Sequence, residues 1–163
     1  MKTFIAIVCL TLTFNGCYSF TGSSVPPHLK TIAIPLLDDQ SGSGEPSLRE
    51  KLTNKLIDKF RQDNSLQITD RVNADAILEG IITSLSTQPQ VISSAETVTK
   101  QHITITVKVM YQDMKLRKKL WEKQFSEWGE YALGGGIQER DAAIDAANEK
   151  ITEDILLETV SGW

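Results

Sequence analysis

The chain has 163 residues, of which 40% are hydrophobic and 23% charged, and its formal net charge is −4 at pH 7. This length is sufficient for one domain with its own hydrophobic core. The negative charge excludes a nucleic-acid-binding protein of the usual basic kind.

The first 16 residues have the layout of a secretory signal peptide. Lys2 gives a short positive start, residues 4–14 are mainly apolar, and the small residue Gly16 stands directly before Cys17. The apolar run is well short of the roughly 20 residues needed to cross a bilayer, so a permanent transmembrane helix is the weaker interpretation. Removal of this segment would leave 16 basic and 21 acidic side chains, a net charge of −5.

Cys17 decides between two routes of processing. Cleavage before it puts the bulky Phe14 at position −3, where the ordinary signal peptidase needs a small residue. The lipoprotein route accepts a larger apolar residue there, needs Gly or Ala at −1 and requires Cys at +1. Cys9 is lost with the signal peptide, so the mature chain has one thiol and no internal disulfide. We therefore predict Cys17 as the site of lipid attachment; the alternative is that it is an incidental residue after the signal.

The next segment is predicted to be a tether. Residues 19–28, SFTGSSVPPH, are rich in Ser, Gly and Pro, which resist regular structure. We assign residues 17–30 to the lipidated cysteine with its flexible tether, and residues 31–163 to a single domain. The domain begins with a β-branched apolar run, Thr31 to Leu37, which predicts a buried strand, and DDQSGSGEP after it predicts a loop.

A helical period begins near Pro46 and returns near Gln138. Apolar residues recur at three-to-four-residue spacing up to Asp63, and Ser47 with Glu50 has the spacing of a capping box. A short strand, LQIT, follows this helix. The second helix again carries apolar residues on one face and acidic residues on the other.

Three longer strands are predicted between the helices. The first lies within Val72 to Gln88, after an initial turn. The second alternates with a period of two from Ile103 to Tyr111, so one face meets a core and the other water or a partner. A turn at residues 113–117 leads into a third strand, 118–128, which completes a hairpin. GEYALGGGI, residues 129–137, is predicted as a flexible loop.

The order of these elements predicts an α+β fold. Strands grouped between two helices indicate a two-layer sandwich in which both helices pack on one face of a mostly antiparallel sheet. The other face of the sheet would then be uncovered and available to a partner.

The sequence contains no recognisable catalytic or metal-binding constellation. His28 lies in the predicted tether and His102 on the outward register of a strand, so neither suggests a metal cluster or a histidine-based catalytic site. The adjacent acids Asp38 and Asp39 are typical of solvated turns. The GSG and GGG segments lack the context of phosphate-binding loops. We predict no enzyme activity, no metal and no cofactor.

The best candidate for a binding site is a cluster of basic residues in the hairpin. It has five positive charges against one acid, Glu122, and would suit phosphates or other acidic groups. The alternative is a turn kept soluble, and protected at a sheet edge, by its lysines. Trp121 and Trp128 are more often core or sheet-covering aromatics than ligand platforms. The basic cluster consists of Lys115, Arg117, Lys118, Lys119 and Lys123.

Five segments, taken together, carry a resemblance that spans nearly the whole mature chain. They are CYSFTGSSVPPHLKTIAIPLLDD, EPSLREKLTNKLIDKF, ADAILEG, YQDMKLRKKLWEK and ILLETVSGW. In this combination the chain resembles the LptE-like family of lipopolysaccharide-assembly lipoproteins, most specifically in the tether and first strand. The resemblance implies two helices over a mixed sheet of about four strands.

The resemblance also implies a role and partners. Such proteins sit at the periplasmic face of the outer membrane, held by an N-terminal lipid. They plug the LptD-like β-barrel translocon that delivers lipopolysaccharide to the cell surface, help it to assemble and contact lipopolysaccharide. The basic cluster is our own candidate for binding the lipid A phosphates. The alternative function is a regulatory interaction module for a peptidoglycan synthase or a secretion channel, because fold analogy does not separate the two.

Overall fold

The computed structural model describes residues 25–45, 47–89 and 100–161. The predicted signal peptide, Cys17 and the first part of the tether lie outside these residues. Neither helix in the described part is long and apolar enough to span a membrane. The elements are β1 (Thr31–Ala33), β2 (Asp38–Asp39), α1 (Leu48–Asp63), β3 (Gln67–Ile68), β4 (Ala76–Pro89), β5 (Lys100–Asp113), β6 (Lys118–Ala132) and α2 (Ile137–Ser161).

The described strands form one mixed sheet. Its order is β3-β1-β4-β5-β6, and β2 also pairs with β4. The short strand β1 runs parallel to β3 and β4, whereas β4, β5 and β6 form antiparallel pairs. The predicted α+β sandwich is therefore confirmed. The resemblance implied about four strands, whereas the described part has six, because two-residue strands are added: β3, within the predicted segment LQIT, and β2, which pairs with β4.

The core lies between one face of this sheet and the two helices. The alternation predicted for β5 from Ile103 to Tyr111 is confirmed, since every second side chain is fully buried. Burial of these apolar side chains supplies the main driving force for folding. The helix residues that meet the strands in the core include Leu52, Leu56, Phe60, Ile144, Ile151 and Ile155.

Two segments predicted as loops are strands. Asp38 and Asp39 pair in parallel with Ile81 and Ile82 of β4, and the next residue, Gln40, donates its N–H to the carbonyl of Ile82 at 2.9 Å. Residues 129–132 continue β6 and pair with the start of β5. In both places the partner strand supplies hydrogen bonds to the backbone N–H and C=O groups. The amino-acid composition of a segment does not indicate whether such a partner strand is present.

The predicted capping box at the start of α1 is wrong. Ser47 makes no side-chain cap hydrogen bond, because its backbone (φ −109°, ψ 4°) does not have the extended conformation of a capping residue. Glu50 instead pairs with Arg49 at 3.2 Å.

Gly129 allows α2 to lie directly on β6. A Cβ atom at this position would be 2.0 Å from the carbonyl oxygen of Ala143 in α2. Any side chain here would have to push the helix off the sheet, since the contact is with backbone. This close approach fixes α2 along β6 and leaves the opposite face of the sheet without a helix.

Candidate functional site

The basic cluster lies on the turn between β5 and β6 and on the first part of β6. The turn is closed by Asp113, whose Oδ1 accepts the N–H of Leu116 at 2.8 Å. Arg117 has a left-handed backbone with φ +52°. This conformation is unfavourable for a residue with a side chain and is usually taken by Gly or Asn.

Three of the five predicted basic residues are engaged in ion pairs. Lys115 pairs with Asp75 at 2.7 Å, Lys119 pairs with Glu122 at 2.6 Å, and Lys123 pairs with Glu158 of α2. Arg117 and Lys118 are exposed, and neither has an acidic partner among the described residues. The structure thus leaves two free cations at the tip of the hairpin.

The cluster is also divided between the two faces of the sheet. Lys119 is opposite Gln112 in β5, on the face that carries no helix. Lys123 is opposite the buried Val109, on the helix side. The five residues therefore do not form one continuous surface.

The end of the predicted tether is fastened to the base of this hairpin. His28 Nε2 lies 2.5 Å from Oδ2 of Asp113, and the carbonyl of His28 accepts a hydrogen bond from Lys115 Nζ at 2.8 Å. The next residue, Leu29, is buried in the core. Burial raises the pKa of Asp113, but hydrogen bonds from His28 and from the Leu116 N–H outweigh it, so the pKa lies below its ordinary value. The sequence placed His28 in a linker, and its partner 85 positions away gave no local signal.

A second carboxylate joins the tether to the loop before β4. Asp75 accepts the N–H groups of Lys30 at 2.7 Å and Thr31 at 3.2 Å, besides its pair with Lys115. The bond from Lys115 is the main reason why the pKa of Asp75 falls to about 2. Met114 also donates its N–H to the carbonyl of Asp75 at 2.8 Å. We call the three segments joined here, residues 25–30, 69–75 and 114–117, the tether end of the domain.

The face of the sheet opposite the helices has paired charges and a shallow apolar groove. Lys108 and Lys119 each lie 2.6 Å from Glu122 and lower the pKa of its carboxyl to about 2. Arg71 and Glu79 pair at 2.9 Å. A groove of about 430 Å³ on this face is lined by these charged groups and by apolar side chains. Its apolar lining includes Pro35, Leu36, Ile81 and Met110.

The two tryptophans flagged in the sequence have different environments. Trp121 packs against the core and makes an edge contact with Phe125 at 6.0 Å. Trp128 is 41% exposed, stacks on His102 with ring centroids 4.4 Å apart, and has Lys150 Nζ 4.2 Å from its ring centre. The exposed ring thus already contacts two side chains of the same chain. Among the described residues, no group of three or more His, Cys, Asp or Glu side chains could hold a metal ion.

A family model described as LptE, lipopolysaccharide-assembly, matches residues 29–159. The chain belongs to the LptE family. This match begins at the buried Leu29 and ends in the last turn of α2, so every strand and helix of the described domain lies within it except the final two residues of α2. Members of this family are non-enzymatic lipoproteins of the outer membrane that take part in lipopolysaccharide assembly. Comparison with curated proteins gives no match.

Solved structures show the same fold at low sequence identity. Rare lipoprotein B from Shewanella oneidensis has a TM-score of 0.54 and 15% identity, with 79% of this chain and 92% of that chain covered. A minor lipoprotein from Acinetobacter baumannii has a TM-score of 0.53 and 12% identity, with coverage of 84% and 94%. A hypothetical protein from Chlamydia trachomatis has a TM-score of 0.58 and 9% identity, with coverage of 80% and 95%.

Proposed function

We propose that this LptE-family chain is anchored through Cys17 at the periplasmic face of the outer membrane, where it assists assembly of the β-barrel lipopolysaccharide translocon and plugs it. The observation that carries the proposal is the family match over residues 29–159. In this proposal residues 1–16 are the signal peptide, residues 17–30 the lipidated tether, and residues 31–163 the plug domain.

The sheet face opposite the helices is suited to contact with the wall of a barrel. Its main charges, Lys108, Lys119 and Glu122, are already paired with one another, since both lysines share the Glu122 carboxylate. Burying a compensated group against a partner costs less than burying a lone charge. Leu36, which is 52% exposed in the groove of this face, supplies apolar surface for the contact.

The test is affinity capture of the lipidated protein from solubilised membranes. We expect an outer-membrane β-barrel to be recovered with the wild type and to be reduced with Leu36→Asp. Leu157→Asp on α2 is the matched control, because Leu157 is 51% exposed and lies outside the groove. Recovery of an inner-membrane peptidoglycan synthase or a secretion channel in place of the barrel would favour the alternative function and overturn this one.

We also propose that the free cations of the basic cluster bind the phosphates of lipopolysaccharide. Hydrogen bonds between a charged donor and phosphate are among the stronger polar contacts. Arg117→Ser with Lys118→Ser should weaken binding of purified protein to lipopolysaccharide about tenfold or more. Adding Lys119→Ser should change little further, since Lys119 is already paired.

A matched control removes an equal number of positive charges, two, at other positions of the cluster. Lys119→Ser with Lys123→Ser should leave the affinity for lipopolysaccharide close to that of the wild type. Both double variants should keep the wild-type circular dichroism spectrum. Equal affinity of the Arg117/Lys118 variant and the wild type would sink the phosphate site.

A further inference from the structure

We propose that the tether end of the domain docks on the surface of the bilayer, with Leu116 and Val72 entering the headgroup region and Arg117 and Lys118 on lipid phosphates. The inference rests on the proposed lipid anchor at Cys17 and deepens it by giving the domain an orientation. The occupant of this surface is a phosphate-bearing membrane leaflet.

The length of the chain before the described residues limits how far the tether end can be from the membrane. Val25 stands eight positions after Cys17. Even a fully extended chain of this length spans at most about 26–29 Å. Since His28 is fastened to Asp113 at the base of the hairpin, a lipid on Cys17 leaves the hairpin tip within reach of the bilayer.

The tether end presents large apolar side chains on two neighbouring loops. Val72 is 91% exposed, Leu116 66% and Met114 37%. The bond from the Met114 N–H to the Asp75 carbonyl and the Lys115–Asp75 ion pair join these loops. Exposed apolar side chains beside free cations are typical of surfaces that bind membranes.

The acidic residues of these loops are already bound within the protein. Asp113 is held by His28, Asp75 by Lys115, and Asp70 accepts hydrogen bonds from Asn73 at 2.8 and 3.0 Å. The cations at the tip have no such partner among the described residues. The tip is therefore a locally basic surface in a chain whose mature part is negative, and it is attracted to anionic headgroups.

The left-handed backbone of Arg117 supports a role for its side chain. With φ +52°, this position favours Gly or Asn over any larger residue. Retaining Arg here costs conformational energy that a shorter turn residue would avoid. A contact outside the domain, with lipid phosphate, accounts for an arginine at this position.

The opposite end of the domain provides the comparison. Leu133 and Ile137 are exposed there, at 50% and 80%. They are followed along the chain by the acids Glu139 and Asp141. Among the described residues here, the cations Arg140 and Lys100 are paired with Glu45 and Glu130. In the proposed orientation this end points away from the leaflet that holds the lipid.

The experiment places a fluorophore at each end of the lipidated full chain. Lipid on Cys17 blocks its thiol, so Leu116→Cys and Leu133→Cys each introduce a single reactive cysteine. Each protein is reconstituted in vesicles of phosphatidylethanolamine and phosphatidylglycerol that contain nitroxide-labelled lipid and no lipopolysaccharide. We expect strong quenching of the fluorophore at 116 and weak quenching at 133. Equal quenching, or stronger quenching at 133, would overturn the orientation.

A second set of variants tests the cations. Arg117→Gln with Lys118→Gln, in the Leu116→Cys chain, should lower the ratio of docked to undocked protein about 25-fold, because each basic residue near an anionic surface contributes roughly fivefold. Lys119→Gln with Lys123→Gln should have little effect. Replacing phosphatidylglycerol with phosphatidylcholine should also reduce quenching at 116. If quenching at 116 were the same after the Arg117→Gln/Lys118→Gln substitution and after the replacement of phosphatidylglycerol, docking through phosphates would be contradicted.

Failure of the docking and failure of the proposed function give different results. Labelling of the wild-type protein by a thiol reagent would show that the Cys17 thiol is free. That result would reject the proposed lipid anchor, and with it the proposed function. A blocked Cys17 with no quenching at 116 would reject the docking alone. Lipopolysaccharide binding and barrel capture are measured with separate partners and do not depend on the outcome in these vesicles.

Discussion

At the scale of single residues, two carboxylates hold the tether end together. The Asp113 carboxylate is hydrogen-bonded to the His28 ring. The Asp75 carboxylate accepts hydrogen bonds from the backbone N–H groups of Lys30 and Thr31 and pairs with the Lys115 ammonium. These contacts join parts of the chain that are 40 or more positions apart. The position of the hairpin relative to the tether therefore depends on a few charge-assisted hydrogen bonds.

The contribution of Asp75 should depend on pH in a defined way. Its pKa is lowered from 3.8 to about 2 in the folded protein, so its carboxylate stabilises the fold above about pH 4. That stabilisation is lost as the pH falls from about 4 toward 2. At neutral pH, Asp75→Asn should lower the free energy of unfolding by about 1–2 kcal/mol. Urea unfolding at several pH values should show the difference from the wild type shrinking below pH 4.

Asp58→Asn is the control for this prediction. Asp58 is an exposed carboxylate of α1 that pairs with Arg61, three positions away. Exposed pairs of this kind contribute little to stability. A difference between Asp75→Asn and the wild type that stayed constant down to pH 2 would contradict the role assigned to the carboxylate.

At the scale of elements, the contact between α2 and β6 depends on the absence of a side chain. Gly129→Ala would place a methyl group 2.0 Å from the Ala143 carbonyl oxygen. We expect the free energy of unfolding to fall by about 3 kcal/mol, because the helix or the strand must move. Gly80→Ala is the control: the atoms nearest to its Cβ would belong to the side chains of Leu37, at 3.1 Å, and Val107, at 3.7 Å, in place of backbone. Urea unfolding that ranked the two variants equally would show that α2 is free to shift.

The elements themselves could be predicted from the sequence to different degrees. The period of β5 and the apolar face of α1 identified both elements, because burial on one side imposes that period. Asp38–Asp39 could not be recognised as a strand, since its pairing with Ile81–Ile82 is a property of the assembled sheet. The end of β6 was missed for a related reason: Gly129 has low strand propensity, and it is required by contact with α2.

The candidate site could be predicted only in part. Its sign and its place on a hairpin follow from the sequence around Arg117. The sequence does not show which of the cations are free. Glu158, the partner of Lys123, is 35 positions away in the chain, and Asp75, the partner of Lys115, is 40 positions away. Pairing across such distances is decided by the fold and is invisible to local composition.

At the scale of the whole molecule, the proposals give the protein two attachments to the same surface, the lipid and the tether end of the domain. The proposed lipid on Cys17 would be the strong one, since two or more acyl chains give stable anchoring. The hairpin tip is the weak one, because it has two cations and a few apolar side chains. Their proximity at the tether end lets the weak contact orient a domain that the lipid alone would leave free to rotate.

The difference in strength between the two attachments predicts how Cys17→Ser associates with the membrane. The variant is expressed with an ordinary cleavable signal peptide in place of residues 1–16, so that export continues. We expect most of the protein in the soluble periplasmic fraction, because two cations near an anionic surface contribute only about 2 kcal/mol. Any protein left on the membrane should be released by high salt, which screens exposed charges. Cell fractionation with a salt wash checks this, and firm retention of the variant after the wash would contradict Cys17 as the principal anchor.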